Sequence, residues 1–342
     1  MKVLVTGTAG FIGCEVALRL LADGHQVVGL DNLNPYYDIS LKHARIARLT
    51  PHVNYQHAHI ELADRAQVDQ LFERHLPDRV IHLAAQAGVR YAAENPHIYV
   101  SSNIVGFLHI IENCRRFNVA HLVYASTSSV YGANQIMPFT EDQPCEHPLT
   151  LYAASKKANE LMAHSYAHLF QIPCTGLRFF TVYGPWGRPD MALFKFAKAI
   201  LSDQPIELFN YGQHKRSFTY ITDIVEGIVR ILAQPPTAVL SPVELPIPGC
   251  DSAVAPHKIF NIGNAESVPL LDYVDQLEIA LGRKAKRLLL PLQSGDVHTS
   301  EASVTRLFDA VGYQPEVNVA TGVARFVEWF KAHPQFSASV TQ

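Results

Sequence analysis

Residues 2–31 read KVLVTGTAGFIGCEVALRLLADGHQVVGLD. Lys2 to Thr6 is a short run rich in β-branched residues and closed by Gly7, which suits a strand buried on both faces. An amphipathic helix is predicted from about Ile12 to Ala22, with Gly24 closing it. A second strand, Gln26 to Leu30, delivers Asp31, eighteen residues after Gly13. Strand, glycine loop and helix thus stand in the order that a dinucleotide site needs. Gly7 permits the tight turn, Gly10 lets backbone approach a pyrophosphate, and Gly13 lets the helix pack on the strand while its N-terminus faces the negative charge. An acid at the end of the second strand accepts hydrogen bonds from ribose hydroxyls and repels a 2′-phosphate, so NAD is expected over NADP. The candidate cofactor residues are Gly7, Gly10, Phe11, Ile12, Gly13, Asp31 and Asn32, with Ile60 after the third strand and Leu83, Ala84 and Ala85 after the fourth.

The rhythm of strand and helix continues outward. A helix around Leu41 to Leu49 precedes a strand at Val53 to Ala58, a helix at Gln67 to His75 and a strand at Arg79 to Ala84. A long helix then starts near Asn95-Pro96 and runs to about Phe117, followed by strands at His121 to Ala125 and Cys174 to Phe179. Strands that alternate with helices and are apolar throughout predict an α/β fold, a doubly wound parallel sheet of Rossmann type. After Gly184 the elements shorten, and a smaller C-terminal substrate-binding lobe is expected: residues 1–180 bind NAD, and 181–342 are mostly the lobe. The segment near 216–232 has the option of returning to the first domain. Pro235 to Pro256 carries no periodic pattern and reads as a mobile surface loop.

HLVYASTSSVYG at 121–132 and TLYAASKKANE at 150–160 carry the chemistry. A strand ends in the hydroxyls Ser126, Thr127, Ser128 and Ser129. Tyr152 and Lys156 stand four residues apart, on one face of a helix. An ammonium beside a phenol favours the phenolate, so Lys156 is expected to lower the Tyr152 pKa and make a general base, with Thr127 bonding the reacting oxygen.

The spacing G-x-x-G-x-x-G combined with this downstream Tyr-x-x-x-Lys resembles the extended short-chain dehydrogenase/reductase family over nearly the whole chain. The resemblance implies Thr127, Tyr152 and Lys156 as the catalytic trio acting with NAD on a UDP-sugar. The related 4,6-dehydratases carry an Asp-Glu pair after the Thr, and UDP-glucuronate decarboxylases a Glu before Val-Tyr-Gly; Ser128 and Ser129 stand at those places. DNLNPYYDISLKHARI, HLAAQAGVRYA and RFFTVYGPWGRPDMALFKF are similar to the UDP-glucuronate 4-epimerase branch. That implies 4-epimerisation of UDP-glucuronate to UDP-galacturonate through a 4-keto sugar. Ser128, Ser129 and Thr181 would supply donors to the C5 carboxylate, Arg216 would hold the diphosphate, and Arg90 and Arg188 would lie near the substrate. UDP-glucose 4-epimerisation and, behind it, UDP-glucuronate decarboxylation are the alternatives; a non-catalytic NAD-binding protein of the same fold has no need of an intact trio. Ser217 and Thr222 depart from the usual Asp of relatives, Ser294 interrupts a usual Pro-Gly-Asp, and His59-Ile60 stands where an Asp-Ile or Asp-Leu is common. Relatives pair through two long helices, which implies a homodimer through His97 to Phe117 and Tyr152 to Phe170, with Ile104, Phe107, Leu108 and Ile111 contributing apolar surface.

Composition bounds the rest. The 342 residues carry a net charge of −3, which disfavours nucleic acid or an anionic membrane as main partner. Five scattered cysteines without C-x-x-C suggest neither disulfides nor zinc, no metal is called for, and a reducing cytoplasm is the expectation; the family resemblance implies in addition a product that feeds cell-surface polysaccharide. The opening MKVLVTG reads as a strand directly, so no leader is expected, and no stretch reaches transmembrane length.

Overall fold

The computed structural model describes residues 1–238, 255–293 and 296–338. Six strands, β1 (Lys2–Thr6), β2 (Gln26–Asp31), β3 (Tyr55–His59), β4 (Arg79–His82), β5 (Leu122–Thr127) and β6 (Cys174–Phe179), join a seventh, His257–Ile262, in one parallel sheet. Across the sheet the order is His257–Ile262, β6, β5, β4, β1, β2, β3. Residues of one strand point alternately to two cores: Val3 and Val5 join one, Leu4 the other, and Val27 and Val28 divide in the same way. Both faces are dry, so both must be apolar, which is why these strands read as unbroken hydrophobic runs. Strand order reverses between β1 and β4, and the loops beyond their carboxyl ends open a crevice there.

Helices α1 (Phe11–Ala22), α2 (Ile39–Leu49) and α3 (Arg65–His75) cover the sheet around this crevice. Aspartate side chains cap two of them. Asp38 accepts from Ser40 N–H at α2, and Asp64 from Gln67 N–H at α3. The helix with Tyr152 spans Leu151–Phe170 and is capped by the Thr150 hydroxyl, which accepts from Ala153 N–H at 3.2 Å.

The helix predicted from Pro96 to Phe117 is interrupted. Pro96–Tyr99 and Gly106–Arg116 are α-helical, and the turn Val100–Val105 between them is widened to π geometry. A wide turn displaces backbone carbonyls from the regular ladder. Here the Asn103 carbonyl accepts from Asn159 Nδ2 at 2.7 Å, and the Asn103 side chain bonds Gln86 backbone and Ser155 Oγ. The apolar face is also divided differently from the expectation: Phe107 and Ile111 are fully buried in the core, whereas Val100, Val105 and Leu108 are exposed.

Beyond residue 181 the chain crosses back to the nucleotide half twice, as the edge strand His257–Ile262 and as the helix Ile221–Leu232, which packs on α1 and accepts an Arg19 hydrogen bond through Glu226 (2.6 Å). The remaining elements include the helices Ala192–Leu201, Leu270–Leu281 and Val319–Ala332 and short strand pairs such as Pro205–Leu208 with Lys286–Leu289. Residues 239–254, most of the stretch read as a mobile loop, and Ser294 lie outside the described residues. Among the described residues no helix is long and apolar enough to cross a membrane.

Candidate active site

A cavity of about 1180 Å³ occupies the crevice and extends over the short elements beyond residue 181. Every site residue named from the sequence lines it, from Gly7 at one end to Arg216 at the other.

On the β1 side the loop is built for a close approach. Gly7 has φ +80°, and a Cβ on Gly13 would stand 2.1 Å from the Gly7 carbonyl oxygen, so only glycine allows helix and loop to meet. No side chain caps the start of α1, and Gly10, Phe11, Ile12 and Gly13 at that helix end line the cavity. An uncapped helix N-terminus offers N–H groups and a positive dipole end to an anion. Asp31 Oδ2 accepts from Ala9 N–H at 3.0 Å and Oδ1 from Leu33 N–H at 2.9 Å, which leaves each oxygen a further lone pair toward the cavity. Beyond β4, the Thr6 hydroxyl accepts from Leu83 N–H (3.2 Å) and Ala84 N–H (3.0 Å) and so ties the two strand ends together. This cradle suits the pyrophosphate and ribose of a dinucleotide.

The trio comes from two adjoining elements. Thr127 ends β5 with extended backbone and caps the turn Ser128–Tyr131, its hydroxyl accepting from Ser129 N–H at 3.2 Å. Lys156 Nζ donates to the Ala125 carbonyl on the same strand at 2.8 Å. The expectation that Lys156 lowers the phenol is corrected. Burial pushes the Tyr152 pKa up, and the groups pulling it back are the Arg188 charge and a hydrogen bond with Thr127. Lys156 is itself 2% exposed, and burial lowers its pKa to about 8. Its ammonium is anchored on β5 through that carbonyl.

On the far wall, Ser128, Ser129 and Thr181 present hydroxyls and Arg90, Arg188 and Arg216 present guanidinium groups. Arg188 forks onto Asp190, with Nε to Oδ1 at 3.0 Å, and Asp190 Oδ2 accepts from the Tyr36 hydroxyl at 3.2 Å. Arg90 lies over the Phe209 ring at 5.1 Å. Arg216 is more constrained than its sequence position implies: it donates to Asp296 (3.0 Å) and to the carbonyls of Val297 (2.6 Å) and His298 (3.0 Å).

Several lining residues escape a reading of the sequence. Glu61 follows Ile60 in the wall and accepts from Asn32 Nδ2 at 2.7 Å, so a carboxylate does stand beyond the third strand, two places after His59. Lys42, Tyr36 and Asp190 also line the cavity. Behind the lining, Glu160 lies two turns beyond Tyr152 on the same helix stripe. It accepts from Ser126 Oγ (2.7 Å) and from Arg178 through both oxygens (2.8 and 2.9 Å), all of them buried. The i, i+4, i+8 spacing of Tyr152, Lys156 and Glu160 was the available signal.

Residues 3–242 match the profile of the NAD dependent epimerase/dehydratase family. A probable UDP-glucuronate 4-epimerase of Rhizobium meliloti (strain 1021) is 49% identical over 330 residues, covering 96% of this chain and 97% of that protein. Protein CapI of Staphylococcus aureus is 49% identical over 332 residues, covering 96% and 98%. Among solved structures, a UDP-glucuronic acid 4-epimerase from Bacillus cereus in complex with UDP-glucuronic acid and NAD superposes with TM-score 0.86 at 31% identity, covering 97% of this chain and 99% of that one.

Proposed function

The chain belongs to the NAD dependent epimerase/dehydratase family, and from that premise we propose that it inverts C4 of UDP-glucuronate to give UDP-galacturonate. One observation carries the choice: a Tyr, Lys and Thr trio shares a cavity with a dinucleotide loop, while positions 128 and 129 hold hydroxyls. Eliminating water requires an acid and a further base beside the trio, whereas inversion by oxidation and return requires neither.

Held by the glycine loop and Asp31, NAD would supply the site with a hydride acceptor and donor and with the positive charge of its oxidised ring. Tyr152 takes the proton of the C4 hydroxyl, and Thr127 donates to the same oxygen. With burial raising the phenol, Arg188 and Thr127 are the residues of this chain that favour its ionised form. Lys156, anchored on Ala125, lies within the same wall to hold the nicotinamide ribose. The 4-keto sugar turns about its link to the diphosphate and presents its other face, and Tyr152 returns the proton.

A 4-keto uronate is a β-keto acid and loses carbon dioxide when its carboxylate bond aligns with the carbonyl π system. Thr127, Ser128, Ser129 and Thr181 hold the carboxylate out of that alignment. Arg216, whose Nη groups are held by Asp296 and backbone carbonyls, turns its Nε edge and its charge to the diphosphate, and Arg90 packs beside the nucleotide. Residues beyond 181 contribute most of the sugar-nucleotide side. The exposed Val105, Leu108 and Leu161 lie on the two long helices and suit pairing of two copies. The enzyme acts in the cytoplasm and feeds surface polysaccharide.

Incubating the protein separately with UDP-glucuronate and UDP-glucose, and following sugar configuration, tests the reading. Galacturonate supports it; conversion of UDP-glucose alone transfers it to hexose epimerisation; a pentose product transfers it to decarboxylation.

A further inference from the structure

Arg45 on α2 is 0% exposed, and no carboxylate pairs with it among the described residues. Such a cation is costly unless its donors are satisfied, and here all five are. Nη1 donates to the Ala9 carbonyl (2.9 Å) and to the Tyr37 hydroxyl (2.7 Å). Nε and Nη2 donate to the Trp186 carbonyl (3.1 and 2.6 Å), and Nη2 also to Gly187 (3.0 Å). One guanidinium therefore grips two loops that are far apart in sequence: the glycine loop, of which Ala9 is part, and the 184–190 turn, which carries Arg188.

Both grips are firm on their far sides. Ala9 N–H is held by Asp31, so Arg45 and Asp31 fix both backbone groups of that residue. Trp186, at φ +62°, packs between Arg48 of α2 (4.7 Å to the ring) and Trp329 of a C-terminal helix (5.2 Å). A displacement of the glycine loop is then passed to the Arg188 turn through a single planar fork, which no other side chain reproduces.

We propose that Arg45 is a positioning residue that couples occupancy of the dinucleotide loop to the seating of Arg188 on the sugar side, so that cofactor and sugar nucleotide bind cooperatively. The inference rests on the function proposed above. Arg45 does not line the cavity; it acts through Ala9 and Trp186. The coupling keeps the keto sugar from leaving before the hydride is returned.

The test is titration of UDP-glucuronate into the full chain without cofactor and with NADH, a pairing that cannot react, for wild type, Arg45→Lys and Arg45→Met. In wild type NADH is expected to tighten UDP-glucuronate about 10-fold, within the usual range of coupling between sites. In both variants the factor is expected to fall to about one, since lysine keeps the charge but cannot bridge both loops. During turnover with NAD the variants are also expected to accumulate reduced nicotinamide, seen by its near-ultraviolet absorbance. If the Arg45 variants do not fold, Tyr37→Phe removes one bond to the fork and should lower the factor partially. Absence of coupling in wild type overturns the proposal, as does undiminished coupling in the Arg45 variants, or in Tyr37→Phe should it be the only one to fold. Wild-type turnover of UDP-glucuronate is read separately, so failure of the coupling and failure of the functional reading are distinct results.

Discussion

Replacing Glu160 by Gln should destabilise the chain and disable it by the same route. Glu160 is 2% exposed and Arg178 is 0% exposed. Burial acts to raise the Glu160 carboxyl, but the Arg178 charge and hydrogen bonds, aided by Lys157 and Ser126, hold it at about 2 against an ordinary 4.5. At about 1.4 kcal/mol per pH unit of pKa, that corresponds to about 3 kcal/mol. Because the folded pKa is depressed, this stability is fully present above 4.5 and is lost as pH falls from there toward about 2. Glu160→Gln leaves Arg178 charged and buried, and breaking such a pair costs about 3–5 kcal/mol. The double variant Glu160→Leu with Arg178→Met removes both charges and should recover most of the loss. Denaturant unfolding of wild type, Glu160→Leu, Arg178→Met and the double variant closes the cycle, with Glu160→Gln measured beside them. The same samples report kcat, which should stay low in the double variant, because Ser126, next to Thr127, loses its acceptor and the Tyr152 stripe keeps only the Lys156 bond to Ala125 as its tie to β5. A Glu160→Gln variant within about 1 kcal/mol of wild type, or a double variant no more stable than the singles, would refute the reasoning.

Lys156→Met should stabilise the chain while abolishing turnover. Burial lowers the Lys156 pKa from 10.5 to about 8, so wild type carries its full cost below about 8, and the variant's advantage should shrink as pH rises toward 10.5; unfolding free energies across that range check it. Gly13→Ala puts a methyl 2.1 Å from the Gly7 carbonyl, and should abolish NAD retention in equilibrium dialysis and lower the unfolding midpoint. Thr181→Ala should weaken UDP-glucuronate binding and raise the pentose by-product, whereas unchanged affinity and product mixture would remove Thr181 from carboxylate control.

The nucleotide half is legible because its causes are local. Val3, Leu4 and Val5 must be apolar to face two dry cores, Gly7 and Gly13 must be glycine to pass each other, and Tyr152 and Lys156 lie on one stripe by helix geometry alone. What could not be read depends on distant partners. Arg216 resembles a free phosphate ligand until Asp296, 80 residues on, takes one of its donors. Arg45 sits in an amphipathic helix like a solvated cation, and only the fold brings Ala9 and Trp186 to it. The widened turn at Val100–Val105 leaves no composition signal, because the groups that satisfy it, Gln86, Ser155 and Asn159, come from elsewhere in the chain. Burial also reverses the simplest electrostatic expectation: desolvation outweighs the Arg188 charge and the Thr127 hydrogen bond at Tyr152, and Lys156 turns to a carbonyl.

The most direct test of inversion by a returned hydride uses UDP-glucuronate labelled with deuterium at C4, turned over in ordinary water with NAD supplied at the enzyme's own concentration. UDP-galacturonate that keeps the deuterium at C4 is the expected product. Galacturonate whose label has exchanged with solvent, or inversion undiminished in Tyr152→Phe, would contradict it.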